Sequence, residues 1–341
     1  METAENSFGK GDALLEIKDL KISFKTDEGI IPAVDGVNIS LKRGHTLGLV
    51  GESGSGKSVS TWAVMQLLPK FAIIHEGSSI KFHRKDGEIV EITNFKPKSR
   101  EIRKIRGGEI SLIFQEPMSS FSPVYTVGNQ IVEAVREHRD VSKEEAQGIA
   151  IEMLSRVGIP NPKRRFKQYP FELSGGMRQR AMISVALCTN PSLLIADEPT
   201  TALDVTIQAQ VLNLMKELQE ELGMATIFIT HNLGVIAQIA DEIAVMYLGG
   251  IVEQGTRSDI FHDPKHPYTI NLLRAIPRLG KTEGGRLVAI EGQIPSPMER
   301  PSGCCFHTRC REYMPGRCNV NIPQITQIAQ DHTVRCFLYE S

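Results

Sequence analysis

Between Leu47 and Leu68 the chain passes from a short apolar stretch, through a glycine-rich loop, into helical spacing. No other stretch constrains the fold as strongly. The loop Gly51-Glu-Ser-Gly-Ser-Gly-Lys57-Ser58 fits G-x-x-x-x-G-K-[ST] and follows the run Leu47-Gly48-Leu49-Val50. The pattern makes a phosphate cradle only where a strand leads in and a helix leads out, which is the context found here. Gly51, Gly54 and Gly56 let the backbone curl, so that successive N–H groups turn toward phosphate oxygens. The helix expected over residues 57–68 adds its positive N-terminal end. Lys57 is placed to span the β- and γ-phosphates and the Ser58 hydroxyl to ligate Mg2+. The candidate contacts of this segment are Gly51, Ser53, Gly54, Ser55, Gly56, Lys57, Ser58 and Val59.

Phosphoryl transfer also needs an acidic group at the end of a buried strand. Leu193-Leu194-Ile195-Ala196-Asp197-Glu198 supplies two. Asp197 is expected to hold Mg2+, and Glu198 to orient and deprotonate the attacking water.

The rest of the chain suits a soluble α/β frame. Alternation with turns at Asp27-Glu28-Gly29 and Arg43-Gly44 reads as short antiparallel strands over residues 14–50. A β-like patch follows Ser79, then a basic stretch (Lys96, Lys98, Arg100, Arg103, Lys104, Arg106) that reads as a solvated face. Residues 127–186 have helical periodicity broken at Pro160, Pro162 and Pro170. Strand and helix then alternate: 193–196, 205–222, 225–230, 233–239 and 243–247, which implies a mostly parallel sheet covered by helices. With 39 Lys and Arg against 40 Asp and Glu, no global field points to nucleic acid. No run approaches the ~18 apolar residues of a membrane span, and the polar start lacks the features of a secretory signal. A cytosolic location is expected, unless a partner holds the chain at a membrane.

Further motifs give the loop a family context. Leu173-Ser174-Gly175-Gly176-Met177-Arg178-Gln179-Arg180 resembles the LSGGQ signature of ABC ATPases. Gln115 in Ile113-Phe-Gln-Glu-Pro-Met118 resembles their Q-loop, Ala202-Leu203-Asp204 their D-loop, and His231 in Ile229-Thr-His-Asn232 their switch histidine. Phe24 stands where these proteins place an aromatic ring against adenine. The resemblance covers about residues 13–260 and implies a P-loop cassette, a RecA-like core with antiparallel β and helical subdomains. It implies an ATPase with Glu198, His231 and Gln115 as catalytic residues and Mg2+ held by Ser58, Gln115 and Asp197. Ser174, Gly175 and Gly176 would reach the nucleotide of a second cassette, identical or paralogous.

Beyond Phe261, Pro and Gly become frequent and five of the six cysteines lie past residue 303. Residues 1–260 are therefore expected to form the nucleotide-binding domain, with a helical subdomain at about 119–188, and 261–341 a Cys-rich C-terminal extension. Spacings C-x5-C-x7-C-x17-C are not those of paired zinc knuckles. Gly303-Cys304-Cys305-Phe-His-Thr-Arg-Cys310, Cys318 and His332-Thr-Val-Arg-Cys336 resemble the extension of oligopeptide and dipeptide importer ATPases, which carries a 4Fe-4S cluster. The resemblance makes Cys304, Cys310, Cys318 and Cys336 the ligands. Cys305, a further thiol, leaves its choice against Cys304 open, and reduced core thiols or a zinc site stand as the alternatives to a cluster. Cys188 reads as a small buried residue, and His266-Pro-Tyr-Thr269 as a local helix cap.

The resemblance thus implies the ATP-hydrolysing subunit of a bacterial importer for peptides or similar solutes, at the cytoplasmic face of the membrane. Its expected partners are a second ABC ATPase subunit, two transmembrane permease subunits and, indirectly, an extracytoplasmic solute-binding protein. Phe114 to Val127 would form the floor receiving a permease helix. The same cassette could serve oligosaccharide or nickel uptake. A soluble ABC ATPase acting on nucleic acid or ribosomes fits less well, because Gly56 and Ser174 are too close for an inserted coiled coil and only one cassette is present. A non-catalytic cassette fits poorly too, since Glu198 and the signature are intact.

Overall fold

The computed structural model describes residues 13–115, 120–201, 203–276 and 290–340. They gather into two compact units, one mainly Leu41–His45 with Phe82–Phe228, the other Leu15–Ser40, Thr46–Lys81 and Ile229 onward.

In the second unit, Ala13–Thr26 and Gly29–Lys42 pair as long strands of 14 residues each rather than several short ones. Apolar residues recur through both, and the turn tendency of Asp19 (φ 44) is absorbed beside Gly36, within the pair. Ala72–Ile74 adds antiparallel to the first strand, with Phe24 opposite Ala72. The strand Thr46–Val50, buried at every residue, runs parallel to Glu242–Tyr247 and delivers the chain into the glycine loop. Continuous apolar burial of this kind marks a strand covered on both faces. Gly250–Thr256, His332–Val334 and Thr326–Ala329 extend this sheet antiparallel, so the end of the chain completes the sheet that carries the loop.

In the first unit, Ile110–Ile113 lies parallel to Leu193–Asp197, with Ala225–Thr230 on the other side of the latter. Helices Val127–His138, Lys143–Arg156, Pro162–Arg165 and Gly175–Leu187 follow the expected pattern, with breaks at the prolines. Val127, Ile131 and Val135 meet Ala146, Ala150, Met153 and Leu154 in the core, the i, i+4 spacing of amphipathic helices. Thr126 caps the first helix, and Ser142 with Glu145 forms a capping box on the second.

Two expected elements differ. The helix after the glycine loop ends at Val64, because Gln66 takes a left-handed conformation (φ 50). The basic stretch contains a helix, Arg100–Ile105, capped by Ser99. Ile102 and Ile105 are buried, while Lys96, Lys98, Arg100, Arg103 and Lys104 are exposed. Among the described residues no helix is long and apolar enough to cross a membrane.

Candidate functional site

The loop's geometry follows from its glycines. At Gly51 (φ 153) an added Cβ would lie 2.2 Å from the Met246 carbonyl oxygen, so no side chain fits where the loop leaves its strand. Gly56, left-handed, is the N-cap of helix Lys57–Val64 and supplies no side-chain cap. Lys57 is buried; its ammonium donates to the carbonyls of Gly51 and Glu52, each at 2.8 Å, and to Ser55 Oγ at 3.2 Å. Ser53 and Gly54 are exposed, and Ser58 and Val59 half-buried.

One amide departs from the inward pattern expected of the loop. The Glu52 N–H donates to the Tyr268 hydroxyl at 2.9 Å. Beneath it, Tyr247, Tyr268, Phe306 and His266 pack ring against ring, with centroids 4.7–5.7 Å apart. Such pairs contribute about 0.5–1.5 kcal/mol each beyond area burial. His266 Nδ1 accepts from the Tyr268 N–H and so caps helix Pro267–Arg274, the role its sequence suggests. Burial pushes the His266 imidazole down to about 3, so it is neutral. Arg309 pairs with Glu52 through two nitrogens, at 2.7 and 3.0 Å. The Glu52 carboxylate raises the Arg309 pKa further. Sequence reasoning missed this group: Glu52 falls on a free position of the loop pattern, and Arg309 lies 257 residues away.

In the first unit, Asp197 is buried at the end of its strand and Glu198 follows in a left-handed conformation (φ 47). Glu198 Oε2 accepts from Gln115 Nε2 at 3.1 Å and from Thr201 Oγ1 at 3.0 Å. Two of the expected catalytic side chains therefore meet here, with Thr201 as an unforeseen third. Residues 116–119 and Ala202, which belong to the Q-loop and D-loop motifs, lie outside the described residues, as do Pro277, Gly284 and Gly285. Ser174 caps helix Gly175–Leu187 by accepting from the Met177 N–H; Ser174 and Gly175 are exposed and Gly176 half-buried. Asp204 caps Val205–Leu222 through the amides of Thr206 and Ile207.

Back in the second unit, His231 is exposed just past the end of Ala225–Thr230. Phe24 is half-buried and packs at 5.6 Å against Phe71, itself largely exposed.

In the tail, Cys304, Cys318 and Cys336 are buried and Cys310 is partly so. The Cys304 N–H donates to the Cys318 carbonyl, and Gly303 makes this possible: a Cβ there would sit 2.4 Å from that carbonyl. Burial pushes the Cys304 thiol up to about 12, with Cys305, Cys336 and Cys318 adding to the rise. Burial likewise takes Cys310 to about 11, and Cys336 and Cys318 again contribute. Burial raises the Cys305 thiol as well, against the lowering effect of Arg300 and Arg335. Among the described residues, no three His, Cys, Asp or Glu side chains converge to hold a metal ion. Cys188 is buried, as expected, and burial pushes its thiol up to about 12.

The family described as ABC transporter matches residues 34–201, and that described as the oligopeptide/dipeptide transporter C-terminal region matches 252–318. The chain is 51% identical over 296 residues to the oligopeptide transport ATP-binding protein OppD of Bacillus subtilis, covering 87% of this chain and 81% of that one. It is 46% identical over 329 residues to the dipeptide transport ATP-binding protein DppD of the same organism, covering 96% of each. The chain belongs to this family of ABC transporter ATP-binding proteins. It is an ABC ATPase cassette, α/β with antiparallel and mixed sheets. A solved structure, a dimeric post-hydrolysis state of an ATP-binding cassette bound to ADP and Pi, resembles the cassette with TM-score 0.62 and 27% identity, over 72% of this chain and 99% of that one.

Proposed function

We propose that the chain binds and hydrolyses ATP as a subunit of a peptide importer and couples hydrolysis to uptake. The observation that carries this is the Glu198 carboxylate, held by Gln115 and Thr201 in the turn after the buried Asp197. The names of its relatives, oligopeptide and dipeptide transport ATP-binding proteins, supply the solute class.

The roles follow from chemistry. The amides of Gly51, Ser53, Gly54, Ser55 and Gly56, with those of Ser58 and Val59 at the helix start, bind phosphate oxygens, and Lys57 leaves its own loop carbonyls for them. Ser58, Gln115 and Asp197 would hold Mg2+, which would neutralise developing charge. Glu198 takes a proton from the attacking water, and Gln115 and Thr201 fix the carboxylate for it. His231 contacts the γ-phosphate. Phe24, steadied by Phe71, offers the adenine a ring face. Ser174, Gly175 and Gly176 sit exposed at a helix start and complete the site of a second cassette, which matches the dimeric state of the solved relative. The partners are that second subunit, two permease subunits and, through them, a solute-binding protein. No nucleic acid partner is proposed. Residues 1–260 act as the nucleotide-binding domain, with its helical part at about 119–188, and 261–341 as the extension, peripheral at the cytoplasmic face of the membrane.

For the extension, a 4Fe-4S cluster on Cys304, Cys310, Cys318 and Cys336 fits better than zinc. Its support is the chemistry of an all-thiol donor set. Cys305 stands beside Cys304 as the alternative first ligand. Bound there, the cluster would cross-link loop segments far apart in sequence. Iron and acid-labile sulfide in anaerobically purified protein are the expected finding; stoichiometric zinc in colourless protein would contradict it.

The test of the main reading is ATP hydrolysis by the cassette assembled with its permease and partner subunit. Hydrolysis stimulated by peptide-loaded binding protein is expected. A cassette that neither binds ATP nor associates with an integral membrane protein would refute it.

A further inference from the structure

The glycine loop carries one acid, Glu52, and one base, Lys57, although a nucleotide brings several negative charges to it. A free carboxylate at the loop's second position opposes phosphate binding, because like charges a few ångströms apart repel strongly where water is partly excluded. In this fold Glu52 is not free. Arg309 Nη1 donates to Glu52 Oε2 at 2.7 Å and Nη2 to Glu52 Oε1 at 3.0 Å, the two-point pairing that only an arginine makes.

The arginine is fixed independently of its partner. Its Nε donates to the Glu291 carbonyl, Nη1 also reaches the Tyr247 hydroxyl, and its side chain is 3% exposed against 22% for Glu52. Glu52 is held at its other ends too: its N–H by Tyr268, and its carbonyl by the Lys57 ammonium. Arg309 and Tyr268 both lie beyond residue 201, where the ABC transporter match ends.

We propose that Arg309 is a positioning residue of the phosphate site: it neutralises Glu52 and holds its carboxylate off the phosphates, so that tight nucleotide binding depends on the C-terminal region. The inference rests on the loop being a nucleotide site. It makes the extension an electrostatic part of that site. Because the effect is one of charge, it grows with the charge of the ligand.

The test is calorimetric binding of Mg·ATP and Mg·ADP to the full chain. Arg309→Gln is expected to weaken ATP binding on the order of tenfold, and ADP binding less. Arg309→Lys, which keeps the charge but gives up the two-point pairing, is expected to lose less than Arg309→Gln. Arg309→Gln combined with Glu52→Gln is expected to recover most of the lost affinity, a rescue that a purely structural role would not give. The proposal is overturned if Arg309→Gln binds ATP like wild type, if the double variant binds no better than the single one, or if folded Arg309→Lys loses as much as Arg309→Gln. Should Arg309→Gln not fold, the double variant decides: wild-type-like affinity supports the charge role, and weak binding by folded protein refutes it. A folded wild type that captures no ATP would instead refute the nucleotide site itself.

Discussion

Glu198 sits in a left-handed backbone conformation, which costs a non-glycine residue about 1–3 kcal/mol and is kept where the surroundings over-determine it. Gln115 and Thr201 supply part of that determination by fixing the carboxylate. Glu198→Gln keeps the shape and the hydrogen-bonding capacity but removes the base. The variant is expected to bind ATP and to lose on the order of 10²–10⁴ in turnover, measured as phosphate release by the assembled transporter. A second residue sets a pH limit. His266 is buried neutral with its pKa near 3, below the ~6.5 of an exposed histidine. A depressed folded pKa means the unfolded chain binds the proton first, so this contribution is complete above about pH 6.5 and is lost as pH falls toward 3. The unfolding free energy from denaturant titrations is expected to drop between about pH 6.5 and 4.5 at up to about 1.4 kcal/mol per pH unit, and His266→Asn should flatten that slope.

At the scale of elements, the caps and turns carry testable weight. Ser142→Ala removes one half of the capping box on Lys143–Arg156 and is expected to cost about 1 kcal/mol in denaturant unfolding, with ATP turnover unchanged. Gly51→Ala forces a methyl group onto the Met246 carbonyl and is expected to abolish ATP binding in a calorimetric titration. Elements of this kind were legible where local signals agreed. The apolar run at 193–196 ends in carboxylates, and the glycine octet follows an apolar run and leads into helical spacing. Thr326–Ala329 and His332–Val334 were not legible, because they are strands of four and three residues in a turn-rich region; the second gains its place from Gly250–Thr256 and the first from the second. The six-residue helix Arg100–Ile105 was hidden by its basic composition. The Arg309–Glu52 pair leaves no local trace at all, since neither residue's neighbours in sequence indicate its partner.

For the whole molecule, the unit bearing Glu198 also exposes Phe114, Val124, Tyr125, Tyr169 and Phe171, with Tyr169 stacked on Phe171. Exposed aromatic groups of this sort mark interaction surfaces, and a permease segment is the partner proposed for them. Tyr125→Asp is expected to reduce co-purification with the permease while leaving ATP binding intact. The most direct test of the central claim is uptake of labelled peptide into proteoliposomes holding the complete transporter with ATP inside the cassette-facing compartment. Uptake that consumes ATP and stops with Glu198→Gln is the expected result. Peptide accumulation at an undiminished rate with that variant in every cassette position, or none with active wild-type subunits, would contradict it.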